Sequence, residues 1–189
     1  MAERKISEKS LENLKRFNQE NKAITREAIE ISLLQLLEKK DFKKITISEL
    51  VERAGVSRAA FYRNYGSNEE ILKSIFESSI AKITKSLDGY NLKTDLYQVW
   101  VYLLKEVKKE AKIISLAIDY NFEQVLTKSV YDFLEKRNGS SSNGAGSYLN
   151  SFWSSAIVSV ISKWVKDGMK TPAEKIAKLG LPLFPHKKK

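Results

Sequence analysis

The segment TISELVERAGVSRAAFYRNYGSNEEIL, Thr46 to Leu72, carries three helix starts and one enforced stop, and this punctuation constrains the fold more than any other feature of the chain. In Thr46-Ile47-Ser48-Glu49 the threonine hydroxyl can accept the amide hydrogen of the third helical residue while Glu49 reaches back to the threonine amide, a reciprocal cap. Gly55 tolerates the left-handed conformation that a helix end often requires, so Ala54-Gly55-Val56 reads as a tight turn. Ser57 is placed to cap a further helix running to about Tyr65, and Ser67-Asn68-Glu69-Glu70 reads as a second reciprocal cap. Leu50, Val51, Ala54, Val56 and Phe61 fall where two such helices need apolar packing. The spacing predicts two short helices joined by a glycine turn, the geometry that presents a second helix to a DNA major groove.

Elsewhere apolar residues recur at spacings of three and four, and with 8 Gly and 3 Pro in 189 residues an all-α fold of about nine helices is predicted. Residues 1–20 are highly charged, with Leu11, Leu14 and Phe17 spaced by three; they read equally as a short amphipathic helix and as a mobile basic arm. From Asn21 a stripe of Ile24, Ala28, Ile31, Leu34 and Leu37 marks the first core helix, interrupted at Lys39-Lys40-Asp41. A fourth helix carries Ile71, Leu72, Ile75, Phe76, Ile80, Ile83 and Leu87, long enough to link a small N-terminal domain to the rest of the chain. Leu92 to Val107, Ile113 to Ala117 and Phe122 to Leu134 mark three more. The Gly/Ser-rich run Asn138 to Ser147 reads as a flexible loop before an eighth helix, Tyr148 to Asp167, stopped by Gly168. A short last helix opens at Pro172.

Several function classes drop out on composition. There is no Cys and a single His, so thiolate metal sites, cysteine nucleophiles and disulfides are excluded, and no phosphate-binding glycine loop or His-Glu spacing is present. No enzyme, metal or cofactor is expected. No apolar run reaches the roughly 20 residues that span a bilayer and the first residues lack a signal-peptide core, so a cytoplasmic protein without a membrane partner is expected. The net charge of +10 invites a nucleic-acid partner, yet residues 1–80 hold 15 basic and 13 acidic residues while residues 81–189 hold 18 and 10. Bulk charge therefore does not locate the DNA site.

The capped Thr46, the Ala-Gly-Val-Ser turn, the Phe61-Tyr62 pair, Tyr65 three residues on, and the Ser67-x-Glu-Glu opening together resemble the signature of the TetR family of transcriptional regulators. The resemblance is strong over residues 22–80 and extends weakly to Trp164-Val165-Lys166-Asp167-Gly168-Met169. It implies a charged extension (1–21), a three-helix helix-turn-helix domain (22–68), a helical effector-binding and dimerisation domain joined through the fourth helix (69–180) and a basic tail (181–189).

It further implies that the chain binds a palindromic operator on double-stranded DNA as a homodimer, represses, and is released by a small-molecule effector. The alternative is an activator or chromosome-associated factor that acts through a protein partner. Ser57, Arg58, Ala60, Tyr62, Arg63 and Asn64 face outward on this reading. Arg58 is the base-reading candidate, because arginine bonds guanine O6 and N7 together, and Ala60 suits a thymine methyl. Thr46, Ser48, Tyr62 and Asn64 resemble family positions at or near backbone phosphates. Asn68 departs from the pattern, standing where many relatives carry a phosphate-binding lysine, with Arg63, Lys43 or Lys44 as compensation.

Candidate effector-pocket residues are Phe76, Trp100, Tyr120, Phe122 and Phe133, weighed against ordinary core packing. Ser151, Ser154, Ser155, Ala156 and Ser159 let another helix approach the eighth closely, which places a dimer interface at Phe152, Ser155, Ser159 and Trp164.

Overall fold

The computed structural model describes residues 7–92, 94–138 and 145–181. Expectations for residues 1–6, for 139–144 of the Gly/Ser-rich run and for 182–189 of the basic tail lie outside the described residues. Among the described residues the regular elements are all helical: α1 (Glu8–Leu37), α2 (Ile47–Ala54), α3 (Arg58–Tyr62), α4 (Asn68–Thr84), α5 (Leu96–Lys109), α6 (Ala111–Asp119), α7 (Glu123–Asn138), α8 (Ala145–Lys166) and α9 (Ala173–Ala177), with 3-10 turns at Phe42–Lys44 and Lys85–Gly89. None of these helices is long and apolar enough to cross a membrane. The chain divides into two compact units, one ending at Leu72 and the other beginning at Lys73, inside α4.

In the first unit α1 packs on α2, and α2 on α3. Residues 8–20 are helical and run without a break into the first core helix, giving one helix of 30 residues whose N-cap Ser7 accepts the Ser10 amide at 3.3 Å. The stripe read from the sequence is not the buried one. Ile24 is 64% exposed and Ile31 is exposed too, while Ile29, Ser32, Leu33 and Leu36 are buried. Residues 28–37 are apolar on two overlapping faces, and the choice between them is made by where α2 and α3 dock, which periodicity along α1 alone does not contain.

The local signals between Thr46 and Leu72 fold as their chemistry directs. Both halves of the Thr46–Glu49 cap form, with Glu49 N–H donating to Thr46 Oγ1 (3.3 Å) and Thr46 N–H to Glu49 Oε2 (3.1 Å). Gly55 takes φ +65°, which lets the Val56 N–H reach the Val51 carbonyl at 3.1 Å and close α2. Ser57 Oγ accepts the Ala60 amide at 3.1 Å. The helix it opens ends at Tyr62, short of Tyr65, because the Asn64 and Tyr65 amides both turn back to the Phe61 carbonyl (2.8 and 2.9 Å). The second cap is half as expected: Ser67 Oγ accepts the Glu70 amide at 3.4 Å, but the Glu70 carboxylate takes the Gly66 N–H (2.7 Å).

In the second unit α7 packs on α8, α6 on α8, and α5 on α9. Two indoles tie down residues outside the helices: Trp100 Nε1 donates to the Leu181 carbonyl and Trp164 Nε1 to the Thr171 carbonyl, each at 2.7 Å. Arg137, near the end of α7, donates to the Leu87 (2.6 Å) and Tyr90 carbonyls and so holds the turn after α4. Gly168, at φ +70°, ends α8 as read from the sequence.

Candidate nucleic-acid interface and apolar cavity

Five residues make α3, and Phe61 alone among them is buried, so its direction sets the outward face. At about 100° per residue, the position two before Phe61 points most directly away from it. That residue is Ala59, exposed, whereas Ala60 is half-buried. The structure therefore puts Arg58, Ala59, Tyr62 and Arg63 on the open face, with Ala60 half-buried at its edge where it lines an open groove. The signal for Ala59 was present in the sequence once Phe61 was taken as the inward residue.

The eight candidate contact residues separate by what their polar atoms already do. The Thr46 hydroxyl is spent on Glu49, and the Ser57 hydroxyl caps α3. Asn64 Nδ2 donates to the Ala60 carbonyl (2.8 Å). These three side chains hold the motif together. Arg58 and Tyr62 are exposed on α3, Arg63 is exposed at its C-cap, and Ser48 is exposed on α2. Arg58 Nη2 donates to Ser48 Oγ at 2.6 Å, so the guanidinium is held against the first turn of α2. Asn68 is a structural tie, with Nδ2 donating to the Ile45 carbonyl (2.8 Å), while Lys43 and Lys44 stand exposed on the preceding 3-10 turn.

A second set of contacts, not anticipated from the sequence, locks the end of α3 onto α1. The Arg26 guanidinium lies 4.4 Å from the centre of the Tyr65 ring and donates to the Asn64 carbonyl (3.3 Å), and the Tyr65 hydroxyl donates to Glu30. Charge–ring stacking plus two hydrogen bonds fix the angle at which α3 is presented.

The start of α2 is also charge-locked. Lys40 Nζ donates to the Glu49 carboxylate, and this bond, followed by those from Thr46, lowers the Glu49 pKa from 4.5 to about 2. A carboxyl whose pKa is depressed on folding binds fewer protons in the native state, so its stabilisation is complete above about pH 4.5 and is lost as pH falls through about 2. Melting of wild type and Glu49→Gln between pH 2 and 7 is expected to show a deficit in the variant at neutral pH that closes toward pH 2. A deficit that stays constant over that range would mean that the Glu49 charge does not stabilise the helix start.

In the second unit Ile83, Leu103, Ile114, Leu126, Phe133 and Ile161 are among the residues lining a cavity of about 40 Å³. Thr84 supplies the one hydroxyl among its described lining residues and donates it to the Ile80 carbonyl (2.9 Å), so the interior offers no free polar group. Of the five candidate pocket residues, Phe133 lines this space. Phe76 is fully buried with Phe122 edge-on at 5.4 Å, and Trp100 is buried and bonded to Leu181; neither they nor Tyr120 lines the cavity. Among the candidate interface residues Phe152 is 62% exposed and Ser155 and Ser159 are open, beside exposed Tyr148 and Leu149. Trp164 is 5% exposed and bonded to Thr171, so its expected place at an interface is corrected to the core of its own unit.

A capped helix-turn-helix presented by a long first helix, followed by a separate helical unit with its own core, defines a helical regulator of the helix-turn-helix class. Residues 33–75 match the model described as bacterial regulatory proteins, tetR family, and residues 94–181 match that described as transcriptional regulator C-terminal region. The chain belongs to the TetR family of transcriptional regulators and is not an enzyme. It is 33% identical over 95 residues to the HTH-type regulator YxbF of Bacillus subtilis, covering 50% of this chain and 23% of that one. It is 27% identical over 121 residues to the dhaKLM operon transcriptional activator DhaS of Lactococcus lactis, covering 64% of each. The chain thus spans less than two thirds of either relative's length. Two solved structures share the fold: the dihydroxyacetone kinase operon activator DhaS (TM-score 0.54, 20% identity, 83% of this chain and 92% of that one) and a TetR regulator from Streptococcus agalactiae 2603V (0.57, 21%, 87% and 95%). The match at residues 94–181 reaches well beyond the short stretch around Trp164-Val165 that carried a likeness in the sequence.

Proposed function

We propose that this chain reads a palindromic operator on double-stranded DNA as a homodimer, with Arg58 reading a base and Ser48, Tyr62 and Arg63 meeting the backbone. The observation that carries the reading is the open face of α3, where Arg58, Ala59 and Tyr62, with Arg63 at the C-cap, stand exposed on a helix capped at its start and locked at its end. A bidentate arginine–guanine contact contributes about 1–3 kcal/mol of discrimination. Selection from random duplexes by the purified protein is expected to return a palindrome, and Arg58→Ala, which loses the contact in both half-sites, is expected to bind it at least about 30-fold more weakly with relaxed preference at one position per half-site. Equal binding by the variant would assign recognition elsewhere.

The output divides into two readings. Repression relieved by a small molecule places the effector in the cavity of the second unit, where the lining favours an apolar compound; about 40 Å³ has to open to the roughly 300 Å³ of a ligand site. Activation through a protein partner needs no such opening. The small cavity favours this second reading, as does the likeness to DhaS, an activator. A reporter placed behind the selected operator separates them by the sign of its response.

A further inference from the structure

The buried face of α1, Ile29, Ser32, Leu33 and Leu36, continues toward the N-terminus beyond the core that covers it. At about 100° per residue the same face carries Thr25, Lys22, Asn21, Asn18 and, a turn further, Lys15. The overhang's acidic residues Glu12 and Glu20 fall on other faces, and Glu8 lies at the edge of this one nearly three turns beyond Asn18. This stretch of α1 and the end of α3 enclose an open groove of about 620 Å³ whose polar lining is Asn18, Asn21, Lys22, Thr25, Arg63 and Asn64, with Ala60 between them. Its donors are two amides, an ammonium and a guanidinium, because the Thr25 hydroxyl is already bonded to the Asn21 carbonyl (2.8 Å). The Asn64 amide nitrogen is already bonded to the Ala60 carbonyl (2.8 Å) and its Oδ1 is buried, so Asn64 adds no donor to the groove. Among the described residues no carboxylate lines the groove.

We propose that this groove is a second DNA-contacting surface, a clamp on the backbone phosphates beside the stretch read by α3, in which Lys22 and Arg63 carry the charge and Asn18 and Asn21 supply neutral donors. The proposal rests on the DNA-binding reading above and extends it to a part of α1 that the helix-turn-helix does not use. The occupant is a run of phosphates rather than one anion, because the lining is open and its donors are strung along two turns of a helix instead of converging on a point. Such contacts fix register and add affinity without reading sequence.

Each phosphate contact made by a cation steepens the fall of log K with log salt by about 0.9, which amounts to about fivefold in affinity at about 0.15 M salt. The test is salt-titrated binding of the full chain to a selected operator and to a random duplex, for wild type, Lys22→Gln and Arg16→Gln. Arg16 lies on the opposite face of the same helix, paired with Glu20 at 3.9 Å, so its loss removes equal charge in the wrong place. Lys22→Gln, which removes the contact from both subunits, is expected to weaken both duplexes about 30-fold and flatten the slope by about two, with an unchanged melting curve, and Arg16→Gln to change neither. Equal effects in the two variants reduce the surface to general charge and overturn the proposal, as does a Lys22→Gln slope equal to wild type while Arg58→Ala still loses its operator. Saturable binding of inorganic phosphate by the DNA-free protein, lost in Lys22→Gln without a change in DNA slope, makes this a free-anion site instead and also overturns it. Failure of the wild type to bind any duplex ends the DNA-binding reading and this one together.

Discussion

Phe61→Ala is expected to abolish DNA binding by unfolding the first unit, and Tyr62→Ala, one residue away, to weaken binding with the fold intact. Phe61 is fully buried, and truncating a buried phenylalanine costs about 3–5 kcal/mol through lost transfer energy and the cavity left behind. A unit of this size holds roughly 0.05–0.15 kcal/mol per residue, a total of about 3–10 kcal/mol, so the loss consumes much or all of it. It also removes the one side chain that anchors the five residues of α3, a helix far too short to persist alone. Tyr62 is 58% exposed, and a surface truncation stays within about 0.5 kcal/mol. Urea unfolding followed by circular dichroism, beside binding to the selected operator, reads both quantities. Phe61→Leu, which keeps most of the volume, is expected to recover the melt and the binding together. A Phe61→Ala protein that melts like wild type would mean that α3 is not held by its buried face, and the assignment of Ala59 and Tyr62 to the open side would go with it.

How far the sequence reveals this molecule depends on whether the deciding interaction is local. The caps at Thr46 and Ser57, the left-handed Gly55 and the stop at Gly168 are each settled within about six residues, and each forms as read. The buried face of α1 is a different kind of question. Ile24, Ile31 and Leu34 make as good a stripe as Ile29, Leu33 and Leu36, and the docking of α2 and α3 decides between them. The same reason hides the Arg26–Tyr65–Glu30 lock, whose members lie far apart in the chain, and the bonds that retire Trp100 and Trp164 into the core. An indole looks alike in a sequence whether it faces a ligand, a second subunit or its own backbone, and the carbonyl that takes its N–H makes the difference.

Within the candidate site the sequence marked out the stretch that folds as the helix-turn-helix and, for Thr46, Ser57 and Asn64, chemistry of two kinds at once. A hydroxyl that caps a helix and a hydroxyl that meets a phosphate occupy the same place at a helix start, because both satisfy or extend the free amides there. In the structure the capping role is taken, so what these residues can still offer an anion is the backbone N–H beside them. Ser48 differs in kind. Its hydroxyl already accepts from Arg58, and release of that bond frees both groups for DNA at the same moment.

The largest functional loss from a surface change is expected at Phe152. Tyr148, Leu149 and Phe152 form an exposed apolar run at the start of α8, and Ser155 and Ser159 continue that face with residues small enough for another helix to approach. If two copies meet there, the twofold relation puts each residue into the interface twice, so a carboxylate at position 152 is buried twice. A charge left unpaired in an interface costs about 2–5 kcal/mol each time, and a doubled cost of about 4–10 kcal/mol moves a nanomolar dimer to micromolar or weaker. Phe152→Glu is therefore expected to elute as a monomer in size exclusion with light scattering, to melt no earlier than wild-type protein diluted to monomer, and to lose the palindrome while retaining weak binding to single half-sites. Phe152→Leu, which keeps the apolar surface, is expected to remain a dimer. A Phe152→Glu protein that stays dimeric and holds its operator would place the subunit contact on another face of the second unit and leave the exposed run at the start of α8 to a different partner.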